Sequence, residues 1–525
     1  MSFPVAALLA DLPQRLSEIP RRWAAQAPDA PALWERGTCW TFRQLAAAVD
    51  AGADLLRQLG VRAGDRVMIV GENCAAHVAL IFAAADLDAW SVSVNARLSP
   101  REINNIRSHC GARRMIFMAA ASPDAQAHGS HFAAAPMPSA MLGELAIGPL
   151  NEACVAEPVE AAGERQVAAL IYTTGTTGHP KGVMLTHRNL LFIAAVSSRL
   201  RGLTPADRVY GVLPISHVYG LASVMLGTLF AGASLHLVPR YSPQALIDAI
   251  RDGGLTILQG VPAMYARLLE FDRAGWSPAG SRLRFIYAGG SPLDPTLKMD
   301  VEALFGQPLH NGYGMTESSP TISQTRLDAP RSDTSVGPAI PGIEIRIVDQ
   351  EGNDVCDGEP GELWVRGPNV MKGYYREPEM TAATMRPGNW LNTGDIARRD
   401  QDGALFIVGR TKELIIRSGF NVYPVEVEAV INSHPAVTQS AVVGRQIADG
   451  NEEVVAFVEL DPAQVLSSEE LHAYLAERLS PYKVPSKIFV MPSLPAAATG
   501  KILKGKLKEQ AQQMTSDHED GARKH

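Results

Sequence analysis

Short apolar runs alternate with amphipathic stretches along most of the chain. Arg66–Val70 and Ser91–Val94 have the length of buried strands, whereas Thr41–Leu59 and Asn73–Ala85 have the spacing and length of helices. Strands and helices that alternate in this way are typical of βαβ units around mostly parallel sheets. The pattern therefore predicts an α/β fold for the larger, N-terminal part of the protein.

The pattern changes in the last third of the chain. From Gly337 to Gly409, short strand-like runs are separated by glycine, proline and aspartate, which predicts a β-rich subdomain that closes the large unit. Beyond it, a helix over Pro424–Ser433 and strands over Gln439–Val443 and Val454–Leu460 predict a small α+β C-terminal domain.

Four stretches carry more specific expectations. Leu12–Ala27 is predicted to be helical, with Pro20 as a candidate break, Tyr219–Ala231 is predicted to be one helix, and Ala32–Cys39 one strand. Ala119–Pro149, rich in alanine, serine, proline and glycine, is expected to be weakly structured surface.

Composition and charge exclude several classes of protein. The 525 residues are 46% hydrophobic and 20% charged, as in ordinary globular proteins of several domains, and a net charge of −7 argues against nucleic-acid binding through overall charge. Five scattered cysteines without a CxxC pair predict neither a zinc site nor a disulfide framework, and they fit a reducing cytoplasm. The most apolar window, Val78–Val94, contains Asp86 and Asp88, so we expect no transmembrane segment. The N-terminus lacks a charged region followed by an apolar core, so we expect no signal peptide.

The sequence YTTGTTGHPKGV, Tyr172–Val183, is the stretch most suggestive of chemistry. Its glycines allow backbone N–H groups to approach an anion, and its threonines and Lys181 add donors and charge. It lacks the GxxxxGK[ST] spacing of a Walker A loop. From composition alone, a phosphate-binding loop and an ordinary turn are about equally supported.

The same string resembles the phosphate loop of the adenylate-forming superfamily, which includes acyl-CoA and aryl-CoA ligases, luciferases and peptide-synthetase adenylation domains. The resemblance covers the chain from about Thr41 to Lys506. Six further stretches match superfamily motifs in the expected order: LPISHVYGL (Leu213–Leu221), GGSPL (Gly289–Leu293), NGYGMTE (Asn311–Glu317), NTGD (Asn392–Asp395), GRTKELIIRSGFNVYP (Gly409–Pro424) and ATGKILK (Ala498–Lys504).

The resemblance implies an acid–CoA ligase that uses ATP, Mg²⁺ and CoA. A carboxylic acid and ATP would form an acyl adenylate and pyrophosphate, and CoA would then take the acyl group and release AMP. Two alternatives stay open at this point: an acyl-AMP ligase that loads a carrier protein, and a nucleotide-binding scaffold that has lost catalysis. The partners implied are small molecules, and a homodimer is one candidate assembly.

Each site residue is likewise implied by a motif match. Lys501 would bridge the carboxylate and the α-phosphate, Glu317 would bind Mg²⁺, and Asp395 and Arg410 would bind ribose. In isolation each of these residues is more often an ordinary surface or turn residue; the ordered set favours the functional role. The implied ATP-binding residues are Thr173, Thr174, Gly175, Thr176, Thr177, Lys181, Gly289, Gly290, Asn311, Gly312, Tyr313, Thr316, Asp395, Arg410 and Lys501.

The implied acyl pocket is apolar or aromatic. Val218 stands where amino-acid-activating relatives have aspartate, which disfavours an amino-acid substrate, and the absence of arginine among the matched residues argues against diacids. A fatty or aromatic monocarboxylic acid remains. The implied pocket residues are His217, Val218, Tyr219, Val261, Tyr287, Gly289, Tyr313 and Met315, and His217 and Lys181 join Lys501 and Glu317 as candidate catalytic residues.

The resemblance also implies a mobile C-terminal domain. Lys412 matches the pivot about which this domain would rotate, withdrawing Lys501 and bringing Arg417, Ser418 and Gly419 to the CoA tunnel. The expected boundaries are an N-terminal domain over residues 1–409, a hinge over 410–412, a C-terminal lid over 413–508 and a flexible tail over 509–525. The lead-in LPAAAT before Gly500 lacks the family's polar residues, which predicts looser anchoring of Lys501.

Overall fold

A computed structural model describes residues 4–174, 180–271, 276–418, 420–447, 451–461, 464–496 and 502–513. In the N-terminal domain its strands are β1 (Pro31–Glu35), β2 (Thr38–Thr41), β3 (Arg66–Gly71), β4 (Trp90–Asn95), β5 (Arg114–Phe117), β6 (Ala135–Ser139), β7 (Gly143–Ile147), β8 (Val167–Thr174), β9 (Pro180–Thr186), β10 (Arg208–Gly211), β11 (Ser234–Leu237), β12 (Ile257–Gly260), β13 (Phe285–Gly289), β14 (Leu309–Gly314), β15 (Thr321–Gln324), β16 (Glu344–Val348), β17 (Gly361–Arg366), β18 (Gly373–Tyr374), β19 (Met385–Arg386), β20 (Trp390–Arg399) and β21 (Leu405–Arg410).

Helices connect most of these strands. They are α1 (Val5–Ala10), α2 (Glu18–Gln26), α3 (Phe42–Gln58), α4 (Ala75–Asp86), α5 (Pro100–Cys110), α6 (Pro123–His131), α7 (His187–Leu200), α8 (Gly227–Phe230), α9 (Pro243–Arg251), α10 (Pro262–Phe271), α11 (Pro295–Phe305) and α12 (Pro378–Thr384). A π-helix, Tyr219–Leu226, precedes α8, and short 3₁₀ turns lie at Thr316–Ser318 and Thr411–Glu413.

Two large sheets form the frame of the N-terminal domain. The first has the order β15-β14-β13-β12-β10-β11-β1-β2 and the second β18-β9-β8-β4-β3-β5-β7-β6. Their central strands are parallel and antiparallel pairs occur towards the edges. The expected α/β fold is therefore confirmed, because parallel neighbours require the helical crossovers seen here.

Helix α4 shows how the two sheets share one core. Its sequence is apolar around the whole helix, and the side chains from Ala75 to Asp86 are nearly all buried. It contacts β1 of the first sheet and both β3 and β4 of the second. Buried side chains from both sheets consequently belong to a single hydrophobic cluster.

The predicted β-rich subdomain and C-terminal domain are also present. Strands β16, β17, β20 and β19 form a sheet in that order, with β21 paired to β20. The C-terminal elements are β22 (Ile415–Arg417), β23 (Phe420–Val422), α13 (Pro424–Asn432), β24 (Val437–Gln446), β25 (Glu452–Leu460), α14 (Ser468–Ala476), β26 (Lys487–Met491) and α15 (Lys504–Gln513). Their buried side chains, from Ile415 onwards, form clusters separate from those of the N-terminal domain.

Several local expectations differ from the structure. Ala119–Pro149 contains α6 and the β6–β7 hairpin, because Ser122 caps the helix and Leu145 to Ile147 are buried. The strand expected over Ala32–Cys39 is a β1–β2 hairpin, since Arg36 and Gly37 adopt positive φ angles and turn the chain.

Two expected helices also differ. The one expected over Leu12–Ala27 is limited to α2, which begins after Ser17. The one expected over Tyr219–Ala231 is a π-helix followed by α8. A Cβ atom on Gly220 would lie 2.2 Å from the carbonyl oxygen of Pro214, so glycine permits the close approach there. Among the described helices, none combines the length and apolarity required to cross a bilayer.

Predicted helix starts agree with the structure where a capping side chain is present. Thr41 accepts a hydrogen bond from the backbone of Gln44, whose side chain in turn accepts one from the N–H of Thr41. Ser467 and Glu470 form the same reciprocal pair at the start of α14. Such boxes satisfy backbone N–H groups that the first helical turn leaves unpaired.

Gly337 joins the β-rich sheet to the first large sheet. Its carbonyl accepts a hydrogen bond from the N–H of Leu405 in β21 at 3.0 Å, and its φ angle is +72°. A Cβ atom there would lie 2.2 Å from the backbone of Gln324 in β15. The joint therefore requires both the backbone conformation and the small size of glycine.

We predict that Gly337→Ala destabilises the protein more than Gly403→Ala does. Both glycines have positive φ angles, but a Cβ atom on Gly403 would meet nothing within 4 Å. The two variants share a backbone strain of about 1 kcal/mol, and Gly337→Ala adds a steric clash of about 1–3 kcal/mol. Its apparent thermal midpoint should lie roughly 4 °C below that of Gly403→Ala in parallel scans. Equal thermal midpoints for the two variants would show that the contact between the β-rich sheet and the first large sheet does not require glycine at position 337.

Candidate active site

The motif Tyr172–Val183 forms an antiparallel hairpin of β8 and β9. Thr173 lies opposite Lys181 across the ladder, and Tyr172 lies opposite Gly182. The pairing places the hydroxyl-bearing residue and the ammonium-bearing residue side by side where the hairpin approaches its turn. Gly175, Thr176 and Thr177 lie outside the described residues, as does the side chain of Thr174.

Tyr374 connects this hairpin to the candidate metal ligand. The Nζ atom of Lys181 lies 5.9 Å from the centroid of the Tyr374 ring. The hydroxyl of the same tyrosine donates a hydrogen bond of 2.7 Å to Oε1 of Glu317. Lys181 and Glu317, which are 136 residues apart in sequence (317 − 181), therefore share one neighbour. Burial and the charge of Glu317 raise the pKa of Tyr374, so its hydroxyl stays a donor at neutral pH.

The backbone around Tyr374 reaches both large sheets. Lys372 and Tyr375 donate their N–H groups to the carbonyls of Met184 and Gly182 in β9. On the other side, the N–H of Met371 donates to the carbonyl of Glu317 at 2.9 Å. The segment 369–375 thus connects the turn that contains Glu317 to the β8–β9 hairpin.

Glu317 fits the role of a single carboxylate ligand to Mg²⁺. It lies in the 3₁₀ turn after β14 and is 8% exposed, and the Tyr374 bond occupies one direction on one oxygen. Among the described residues, no other hydrogen bond to the Glu317 carboxylate is seen. Mg²⁺ at nucleotide sites is usually held by one or two carboxylates together with phosphates and water, so the donor set agrees with that chemistry. Thr316, in the same turn, is 6% exposed.

Asp395, Arg410 and Tyr313 form a second polar group. Asp395 and Arg410 lie opposite each other on β20 and β21, and the Nε atom of Arg410 is 3.0 Å from Oδ1 of Asp395. The Tyr313 hydroxyl donates to Oδ2. Burial and the Asp395 charge raise the pKa of Tyr313, which keeps this donor protonated. Asp395 is itself 3% exposed, while half of the Arg410 side chain is accessible.

A ledge of glycines lies beside these groups. Gly289 and Gly312 are paired across β13 and β14, and Gly290 has a φ angle of +86°. A Cβ atom on Gly312 would lie 1.9 Å from the Tyr287 hydroxyl oxygen. The space over Gly289 and Gly312 is thus occupied by the side chains of Tyr287 and Tyr219, and of the three glycines only Gly290 is exposed. The amide of Asn311 instead donates to the carbonyls at 334 and 335, so it supports the neighbouring loop.

The expected acyl-pocket residues converge from the π-helix and β13. The rings of Tyr219 and Tyr287 meet edge to face with centroids 6.3 Å apart. A Cβ atom on Gly290 would touch both Val261 and Tyr219, at 3.6 and 3.9 Å, so these lie around the end of β13. Val218 is buried and His217 exposed, with Nδ1 of the histidine accepting the N–H of Tyr219. Met315 is half-buried against the same core.

The structure places the expected CoA residues of the C-terminal domain in different surroundings. Arg417 is half-buried and donates to the carbonyls of Tyr482 and Val484, at 3.1 and 2.8 Å. Ser418 is exposed at a φ angle of +52°, and Lys412 is exposed within a 3₁₀ turn. Gly419 lies outside the described residues.

Lys501 also lies outside the described residues, but both flanks of its segment are tied down. Ala496 and Ile502 form an isolated β-bridge, and the N–H of Leu503 donates to the carbonyl of Pro495 at 2.8 Å. Lys504 then pairs with Glu413 at 3.1 Å and Glu428 at 2.8 Å.

Sequence reasoning missed two groups beside the site. Tyr374 stands outside the motifs that we matched, and nothing in its spacing distinguishes it from a core aromatic. Arg201 follows the last turn of α7, where a basic residue ordinarily caps the helix in solvent, yet it is fully buried. The periodicity of the sequence cannot reveal such a buried arginine, because Arg201 becomes buried only where β13 and the π-helix pack together.

Comparison with known proteins agrees with this geometry. The model of the AMP-binding enzyme family matches residues 20–375, and that of the AMP-binding enzyme C-terminal domain matches residues 426–501. The chain belongs to this family, which is the adenylate-forming superfamily expected from the motifs. It is of the acid–CoA ligase type and uses ATP, Mg²⁺ and CoA.

The individual relatives are similar over nearly their whole length. A feruloyl-CoA synthase from Amycolatopsis sp. is 35% identical, covering 94% of this chain and 99% of the relative. A long-chain-fatty-acid–CoA ligase from Yersinia pestis is 34% identical, covering 93% and 92%. The Bacillus subtilis O-succinylbenzoate coenzyme A synthetase, solved with ATP and magnesium, superimposes with a TM-score of 0.79 at 30% identity, covering 93% and 99%.

We predict that Tyr374→Phe raises the Mg²⁺ concentration required for half-maximal activity by about 10-fold, because an unsupported Glu317 binds metal less well. Tyr375→Phe is the matched control. Tyr375 is equally buried, but its hydroxyl donates to Glu157, away from the site. Titrating activity against Mg²⁺ at saturating ATP separates the two variants. If both behave like the wild type, Tyr374 does not position the metal ligand.

Proposed function

We propose that this enzyme converts a fatty or aromatic monocarboxylic acid into its CoA thioester in two steps. The observation that carries the proposal is the convergence of Lys181, Tyr374 and Glu317 beside the Asp395–Arg410 pair. One group offers a cation and a metal-binding carboxylate, and the other offers hydrogen-bonding partners for a sugar. Together the two groups suit the binding of a nucleoside triphosphate with Mg²⁺.

In the first step, the acid attacks the α-phosphate of ATP and expels pyrophosphate. Thr173 and Lys181 hold the β- and γ-phosphates. The Asp395 carboxylate accepts hydrogen bonds from the ribose hydroxyls, and Arg410 orients this carboxylate. Bound Mg²⁺ supplies positive charge to the phosphates. Lys501 donates to the carboxylate and the α-phosphate, and one well-placed cation of this kind accounts for about 10²–10³ in rate.

In the second step, CoA must reach the carbonyl of the acyl adenylate. Rotation about Lys412 removes Lys501 and opens that path, as hinge motions do in other enzymes. We propose an N-terminal domain over residues 1–409, a hinge over 410–412 and a lid that begins at residue 413. The lid extends to residue 513 in place of 508, because α15 runs to Gln513 and buries Ala511.

The walls of the pocket support the proposed substrate. Tyr219 and Tyr287 present ring faces and edges that suit an aryl or alkyl group. Buried Val218 offers no carboxylate to an amino-acid substrate. The feruloyl-CoA and long-chain-fatty-acyl names of two relatives span the same chemical range. We place the enzyme in the cytoplasm, because its five cysteines are free thiols.

We predict thioester formation with a panel of cinnamic, 4-hydroxycinnamic, benzoic, hexanoic and hexadecanoic acids. Acid-dependent exchange of pyrophosphate into ATP detects the first step, and mass spectrometry of acyl-CoA detects the second. Exchange with transfer to a phosphopantetheinyl carrier protein, and none to CoA, would identify a carrier-loading ligase instead. Absence of exchange with every acid would support a scaffold that has lost catalysis.

We predict that Lys501→Ala lowers adenylate formation at least ~100-fold, because the cation between the two reacting anions is lost. Conversion of supplied acyl-AMP and CoA should change much less. Lys506→Ala, which alters an exposed lysine in the following helix, serves as the control. Equal loss in both half-reactions would refute the division of labour between Lys501 and the hinge.

A further inference from the structure

Arg201 is a fully buried cation next to the proposed acyl pocket. It is 0% exposed, and its Nη1 donates to the carbonyl of Ser223 in the π-helix at 3.0 Å. Within the described part of the chain, Nε and Nη2 have no hydrogen-bond partner. A buried charge in this state is costly, so such groups are normally paired.

The nearest aromatic residues cannot neutralise this charge. The guanidinium carbon of Arg201 lies 4.8 Å from the centroid of the Tyr287 ring. Burial raises the pKa of Tyr219 well above its usual value, and burial raises that of Tyr287, with Arg201 opposing both shifts. Both phenols are therefore neutral. A cation–π contact recovers less than the desolvation of a guanidinium costs, so the pair Arg201–Tyr287 leaves the charge incompletely compensated.

Further buried polar atoms, for which the described residues offer no partner, lie on the π-helix, on β12, which pairs with β13, and on β15. The Tyr219 hydroxyl, both amide atoms of Gln259 in β12 and the Ser323 hydroxyl in β15 are buried without a partner among the described residues. All three side chains are at least nine-tenths buried. Ser223, whose carbonyl binds Arg201, also shares a hydrogen bond with Thr321 of β15, which connects these elements. Buried donors in such numbers are normally satisfied by water or a ligand.

A purely structural role for Arg201 explains less of the arrangement. It accounts for the hydrogen bond to Ser223 and for the contact with Tyr287, which includes a side-chain hydrogen bond as well as the ring. It leaves Nε and Nη2 of Arg201 buried without a hydrogen-bond partner among the described residues, together with the hydroxyl of Tyr219. A ligand oxygen beside the guanidinium would accept from Nε and Nη2 together.

We propose that Arg201 is a specificity residue that binds an oxygen acceptor at the end of the acyl group remote from the reacting carboxyl. The inference rests on the proposed function and changes its substrate class in one respect: it selects acids with a distal oxygen, and these include dicarboxylic as well as monocarboxylic acids. In both candidate kinds of substrate, Arg201 would donate hydrogen bonds to an oxygen atom. This oxygen belongs either to a phenolic hydroxyl of an aryl acid or to the second carboxylate of a dicarboxylic acid.

The test compares acids that differ only at the distal end. The pairs are cinnamate with 4-hydroxycinnamate and hexanoate with hexanedioate, and kcat/KM is measured for each. We predict that the wild type prefers the oxygenated member of at least one pair by about 10- to 100-fold. The pair that shows the preference identifies the oxygen as phenolic or carboxylate.

Arg201→Met should bring the ratio within that pair close to one, because the flexible apolar side chain retains volume without donors. Arg201→Lys should restore part of the preference, and Arg199→Met, which changes an exposed arginine on the last turn of α7, should keep the wild-type ratio. If Arg201→Met does not fold, the kcat/KM ratios of the wild type and of Arg201→Lys within each pair of acids test the role of Arg201.

Two outcomes would overturn the role of Arg201. One is equal kcat/KM within both pairs for the wild type, and the other is an equal loss for both members of a pair in Arg201→Met. Either result requires that some acid forms a thioester, so it is distinct from failure of the proposed function, in which no acid does.

Discussion

The hydrogen bonds of the segment 369–375 are the contacts on which the proposed ATP site depends. The side-chain amide of Asn369 donates to the carbonyl of Thr321 at 2.9 Å on the first sheet, and Tyr375 donates its N–H to Gly182 at 2.8 Å on the second. Between these points, the two residues of β18 extend the second sheet. Tyr374 can reach Lys181 and Glu317 only because its backbone is held at both ends. The site is therefore a product of sheet-to-sheet docking, and no single motif could build it.

Much of this fold could be predicted because its signals are local. Strand and helix periodicity, and caps such as Thr41 and Ser467, depend on residues a few positions apart. The motif matches also identified Asp395 and Arg410, whose contact is enforced by direct pairing across β20 and β21. Local signals were insufficient where packing decides, as at the π-helix, where Gly220 is pressed against the carbonyls of Leu213 and Pro214.

Long-range packing also explains what was missed in the site. Tyr374 and Glu317 are 57 residues apart, and Arg201 and Tyr287 are 86 apart (287 − 201). Neither pair has a spacing that periodicity can detect. The sequence argued against a distal anion because the matched pocket residues contained no arginine. The structure instead places Arg201, at the C-terminal end of α7, against Tyr287 of the proposed pocket, and α7 contributes no residue to the matched pocket motifs.

The described contacts also relate the proposed hinge to the proposed catalytic lysine. Lys504, three positions after Lys501, pairs with Glu413, which directly follows Lys412, and with the partly buried Glu428 of α13. A partly buried ion pair of this kind resists separation because each partner would lose its compensation. The end of the Lys501 segment is thus fastened to the residue beside the pivot. If the chain turns at Lys412, the segment must turn with it, so Lys501 would leave the reaction centre as part of a rigid unit.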